Sequence, residues 1–266
     1  MRGPTIQTVT GRGRNRVRVF ATIINMSIEY WNDQAPNWAR NLEEGPDLLL
    51  EVLEEFEVLT PDSTVLDIGC GPGWHLGKMA PHIAEGYGFD ISSAMIGATP
   101  TSKNLTFYTH DWSAGIPEPL TGRTFSAVIA NRSPGVNTID DVAALMRLSS
   151  RWCVVNKPTY RSTSLLEQAL RDAGVVAKPF GGSLHVDWLI SQGYLPQLRY
   201  QTRVRSRKYD AHDVSYEAER ARAQYGDEVA ERMLAALPGE GVDKRIDVTL
   251  TMAYALAIWR VDERQP

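Results

Sequence analysis

The chain has 266 residues, 43% of them apolar, enough to enclose one well-buried core with an appended cap. A formal charge of −4 gives no electrostatic basis for binding nucleic acid, and no apolar run approaches the roughly 20 residues a membrane span needs. Its two cysteines, Cys70 and Cys153, fall in or beside apolar strand stretches; they suit a reducing, cytoplasmic setting and supply neither a disulfide framework nor a metal cluster.

Residues 1–25 stand apart, with Arg2, Arg12, Arg14, Arg16 and Arg18 and no acid. The apolar stretch from Val17 to Ile24 is short and broken by Arg18, which argues against a secretory signal. A nucleic-acid arm and a transit peptide are possible readings. The preferred one is a basic leader, disordered or foreign to the native protein, with Met26 as the start. Without those five arginines, 23 basic residues face 32 acidic ones, so the body carries −9.

From Met26 the pattern is a helix followed by alternating strands and helices. Pro46 suits a first helical turn, and Leu49, Val52, Leu53, Phe56 and Leu59 follow at helical spacing. Thr64 to Ile68 reads as a strand, then come a glycine cluster and a helix near Leu76 to Ala84. Gly86 to Asp90 is the second strand, with Ser92 or Ser93 capping a helix, and Leu105 to Thr109 is the third. Phe125 to Ala130 is the fourth, and Asp140 and Asp141 open a helix to about Leu148. Trp152 to Val155 is the fifth strand, and the helix from Leu165 to Ala173 stops at Gly174. Leu198 to Ser206 alternates like a strand. Helical stretches follow near Val214 to Gln224 and Val229 to Leu237, and Thr251 to Trp259 closes as an apolar strand. This alternation predicts an α/β fold with a doubly wound, mostly parallel seven-stranded sheet, helices on both faces, an antiparallel last strand and a small helical cap.

Asp67-Ile68-Gly69-Cys70-Gly71-Pro72-Gly73 places alternate glycines where a strand turns into a helix. Glycines let the backbone approach a ligand closely, and the helix N-terminus then points at it. The run resembles the first motif of class I, Rossmann-like methyltransferases, D-x-G-x-G-x-G. The resemblance covers Val65 to Pro134, with fold-level similarity to Arg260. It implies S-adenosylmethionine as methyl donor. Asp67 would help position the donor's amino acid end, and Gly69, Cys70, Gly71 and Gly73 would pass beneath it. Asp90, with Ile91 beside it, lies 23 residues after Asp67 and suits the ribose hydroxyls. Asp111 would meet the adenine amino group, and Trp112 the base. Asn131 faces the same crevice by topology. Tyr30 and Trp38, with Trp31, resemble a lid whose aromatic faces sit against the sulfonium; packing onto the sheet is the other reading.

The resemblance divides the chain into the leader at 1–25, a helical lid at 26–60, and a Rossmann-like domain at 61–266 with a cap insertion near 207–247. The segment Asn131-Arg132-Ser133-Pro134 keeps only part of the Asn/Asp-Pro-Pro-aromatic motif of amino-group methylating relatives. Displacement from a sulfonium needs a base only if the acceptor must lose a proton, so the lack of a catalytic pair is compatible with the activity. No catalytic residue is assigned and no metal is expected.

His185 and Asp187 suit either an acceptor contact or a structural role. Arg199, Arg203, Arg205 and Arg207 fall on one strand face, fit either for an anionic acceptor or for pairing with cap glutamates such as Glu217 and Glu219. The expected partner is a small-molecule acceptor, with no nucleic acid and no membrane. A non-catalytic S-adenosylmethionine sensor would keep the donor motifs and lack an enclosed acceptor pocket. A nicotinamide-dependent oxidoreductase would want a third glycine where Trp74 stands.

Overall fold

Buried strands of a parallel sheet need near-continuous apolar runs, and these set the centre of the molecule. The computed structural model describes residues 27–40, 47–178, 184–237 and 245–264. The basic leader and Pro46 lie outside them. In chain order the helices are α1 (Ile28–Arg40), α2 (Leu48–Glu55), α3 (Trp74–Met79), α4 (Ser93–Ile96), α5 (Ile139–Leu148), α6 (Ser164–Ala173), α7 (Val186–Ser191), α8 (Ala211–Tyr225) and α9 (Asp227–Leu234). The strands are β1 (Thr64–Ile68), β2 (Glu85–Asp90), β3 (Leu105–Thr109), β4 (Phe125–Asn131), β5 (Ser149–Thr163), β6 (Gln197–Tyr209) and β7 (Ile246–Arg260).

The strands form one seven-stranded sheet in the order β3-β2-β1-β4-β5-β7-β6, with β7 antiparallel to both of its neighbours. This is the doubly wound architecture expected from the sequence, including the antiparallel last strand. On one face, Leu66, Ile68, Val128, Ala130, Cys153 and Val155 pack with Val142 and Leu145 of α5 and Leu189 of α7. On the other, Val65, Ala127, Ile129, Val154 and Leu256 pack with Leu49, Val52 and Leu53 of α2 and Leu76 and Met79 of α3. A third cluster joins α6, α8 and α9 to Tyr209 and Val248 at the far ends of β6 and β7.

Several elements run longer than their sequence pattern. The fifth strand, expected at Trp152 to Val155, continues through Lys157-Pro158 to Thr163, and its register shifts between Pro158 and Tyr160. β4 ends at Asn131 opposite Asn156, so beyond that point β5 has β7 alone beside it. An edge position with a bulge tolerates proline's missing N–H. β6 and β7 extend with it, and α8, opened by a capping box of Asp210 and Asp213, packs on the extension.

Candidate active site

The predicted residues gather at the C-terminal edge of the sheet, where the order reverses between β1 and β4. Gly69, Gly71 and Gly73 have φ of 72°, 55° and 67°, a region glycine reaches without strain. A Cβ on Gly73 would lie 2.6 Å from the Phe107 ring, whereas one on Gly71 would meet nothing within 4 Å. The turn is therefore packed beneath and open above. Cys70 is buried, and burial pushes its thiol pKa up.

Asp67 is 2% exposed, and its Oδ1 has no hydrogen-bond partner among the described residues. Burial, then the charge of Asp90, raises its pKa to about 7. Asp90 Oδ2 accepts the Gly71 N–H at 3.0 Å and Oδ1 accepts the Ser92 N–H at 2.9 Å. Burial nonetheless pushes the Asp90 pKa up. Ile91 follows at the crevice edge, half-buried.

Asp111 caps a short 3-10 turn by accepting from Ser113 N at 2.8 Å. Trp112 stacks on Phe89 with ring centres 6.2 Å apart, and its Nε1 donates to Asp141 at 3.3 Å. Trp112 is thus partly committed to packing.

In α1, Asn32 Oδ1 accepts from Ser92 Oγ at 2.7 Å and from Ala94 N at 3.3 Å, which fastens the helix over the start of α4. The Tyr30 hydroxyl lies 3.4 Å from that of Tyr216 in α8, so α1 and the cap meet. Trp38 is 41% exposed, with the Arg132 guanidinium 5.6 Å from its ring centre.

Asn131 reaches a buried polar group that no sequence pattern signals. Asp47, the N-cap of α2, accepts from His75 Nε2 at 3.1 Å; burial opposes its charge, yet the His75 contact holds its pKa down to about 2. The Asn131 amide nitrogen lies 3.4 Å from both His75 ring nitrogens, and its Oδ1 accepts from Asn156 Nδ2 at 2.7 Å. These residues line a narrow slot together with Arg132, Gln201, Arg203 and Tyr254. The available signal was positional: Asn131 ends β4, and Asn156 opposite it ends the apolar run within β5.

Other expected contacts fall elsewhere. His185 Nε2 donates to the Asn137 carbonyl at 2.7 Å, a loop-holding bond. Lys157 supports the same loop, donating to Ser133 O at 2.7 Å and Asn137 Oδ1 at 3.0 Å; burial lowers its pKa to about 8. Among the described residues, Glu217 and Glu219 pair outside the arginine row. Arg199 bonds Glu55 at 3.0 Å, buried Glu217 pairs with half-buried Arg161 at 2.7 Å, and Glu219 pairs with Arg222. The bulge in β5 brings Arg161 under α8 and so changes the partner. Among the described residues no helix is long and apolar enough to cross a membrane.

Comparison with known proteins adds the family. An uncharacterized protein of Haemophilus influenzae is 27% identical over 154 residues, 54% of this chain and 53% of that one. The chain thus spans about half the length of this curated relative. Among solved structures, a methyltransferase from Thiobacillus denitrificans in complex with S-adenosyl-L-homocysteine is 14% identical, with 84% of this chain and 96% of that chain covered and a TM-score of 0.45. The N-methyltransferase NodS from Bradyrhizobium japonicum is 13% identical, with 88% and 99% covered and a TM-score of 0.45. A family model described as a methyltransferase domain matches residues 37–175, more than half of the sequence, and the chain belongs to that family.

Proposed function

We propose that the protein transfers a methyl group from S-adenosylmethionine to a small-molecule acceptor by direct displacement. The observation that carries this reading is the buried, partnerless Oδ1 of Asp67 beneath a glycine turn whose middle residue opens onto free space. An unmet buried acceptor calls for a donor, and the amino group of S-adenosylmethionine is one. The two oxygens of Asp90 hold Gly71 and Ser92 and keep lone pairs for a ribose.

When bound, the donor supplies an electrophilic methyl on a sulfonium, and the sulfur leaves with the bonding pair. The chain's task is alignment and the exclusion of water. The glycine turn with Asp67 and Asp90 orients the donor, with Cys70, Ile91, Asp111 and Trp112 flanking it. Tyr30 and Trp38 of α1 close it from above, and Asn131 faces the side where an acceptor enters.

Calorimetry with S-adenosylmethionine and with NADH tests the reading. We expect S-adenosylmethionine to bind and NADH not to. Gly71→Arg, which fills the open face, and Asp90→Ala should each weaken donor binding at least about tenfold. Binding of NADH alone would sink the proposal.

A further inference from the structure

The edge of the sheet where the parallel strands begin carries a cleft that the donor crevice does not use. α5 starts beyond the end of β4 and runs back to Ser149, which pairs with Phe125 at the opening of β4. β7 returns to the same edge, with Arg260 opposite Trp152. Between the last turns of α5, the turn after α7 and the segment after β7 lies a cleft of about 240 Å³. Asp67, Asp90 and Asn131 stand at the other edge, where the parallel strands end.

The cleft has apolar walls and a cationic rim. Met146, Trp188, Tyr194 and Val261 are half-buried, each packed against the core on one side and lining the cleft on another. Backbone bonds hold this shape: Tyr194 N–H donates to Leu189 O at 3.0 Å, and Val261 N–H to Arg151 O at 2.8 Å. Arg264 Nε donates to the Gln192 carbonyl at 2.6 Å, and its guanidinium lies 5.9 Å from the Tyr194 ring centre. Its other N–H groups stay available. Arg147, in the last turn of α5, makes no hydrogen bond or ion pair among the described residues. No carboxylate lines the cleft among those residues, and the acids beside Arg264 in sequence, Asp262 and Glu263, pair with Arg260.

Two guanidiniums without a counter-charge, beside aromatic walls, suit a planar anion with an apolar body. A cavity of about 150 Å³ admits benzene, so this one has room for an aromatic ring and its carboxylate. We infer that the cleft binds a small aromatic carboxylate. The ring lies against Trp188, Tyr194 and Met146, and the carboxylate accepts from Arg147 and Arg264. The site is across the sheet from the donor crevice, so its occupant is neither methyl donor nor acceptor, and the inference stands without the methyl-donor reading.

Calorimetry on the full chain tests it with indole-3-acetate, with indole-3-acetamide, which lacks the anion, and with acetate, which lacks the ring. The aromatic acid should bind at least about tenfold more tightly than either. Arg147 and Arg264 are exposed, so the double variant Arg147→Gln/Arg264→Gln should keep the wild-type unfolding midpoint and bring the acid down to the affinity of its amide. Ala143→Leu, which adds bulk to the α5 wall, should weaken the acid about tenfold. Gly71→Arg, which fills the open face of the donor crevice, should leave its affinity within about twofold. Equal binding of acid and amide, binding of neither, or unaltered affinity in the double variant or in Ala143→Leu would overturn the inference. So would a tenfold loss in Gly71→Arg, which would place the acid in the donor crevice.

Discussion

Asp67 concentrates the electrostatics of the site. Its folded pKa of about 7 stands above the usual carboxylate value because burial and then Asp90 disfavour the charge. A raised pKa means the folded chain holds the proton more tightly, so the stabilising contribution is complete below about pH 4 and is lost as pH rises through 7. In chemical denaturation without ligand, Asp67→Asn should therefore gain on the wild type by on the order of 2 kcal/mol between about pH 5 and 8. A difference that stays flat with pH would contradict a buried, ionising Asp67. The aspartate was legible in the sequence because the glycine spacing frames it. Asp47 and His75 were not: 28 residues separate them, and only the packing of α2 against α3 brings them within 3.1 Å.

Among the elements, α1 is the segment proposed to cover the crevice. It has Pro36 within it, so its hold depends on side chains reaching other elements. Asn32 makes that hold by accepting from Ser92 and Ala94 at the start of α4. Asn32→Ala removes one part-buried and one exposed hydrogen bond and should lower the thermal unfolding midpoint by only about 2–4 °C, yet weaken S-adenosylhomocysteine binding on the order of tenfold by calorimetry. Unaltered affinity would show that α1 does not help to hold the donor. The tryptophans and tyrosine of this segment allowed two readings from the sequence, a cover or packing onto the sheet. Asn32 suggested neither, because its partners are set by where α4 begins.

At the scale of the whole molecule, the cap has a core of its own. Val214, Ala218, Val229, Ala230 and Met233 pack with α6 and the outer ends of β6 and β7, apart from the two clusters that flank the sheet. Met233 is 1% exposed, and Met233→Ala should cost the cap about 2–4 kcal/mol. Hydrogen exchange should then quicken in α8 and α9 while β1 and β4 keep their protection. Equal acceleration everywhere would mean that cap and sheet unfold as one unit. This arrangement brings the Tyr216 and Tyr30 hydroxyls within 3.4 Å, joining two segments far apart in the chain.

Local signals in the sequence determined the alternation of strands and helices, the glycine turn and the acids that end β1 and β2, because each depends on a short stretch of apolar periodicity, capping or backbone freedom. The extension of β5 past Pro158, the pairing of Arg161 with Glu217 and the slot ending at Asn156 were decided only by tertiary structure. A proline is tolerable where β4 has ended, a guanidinium just past a bulge takes the carboxylate that α8 presents, and a buried amide shows a missing partner only once its neighbours are in place.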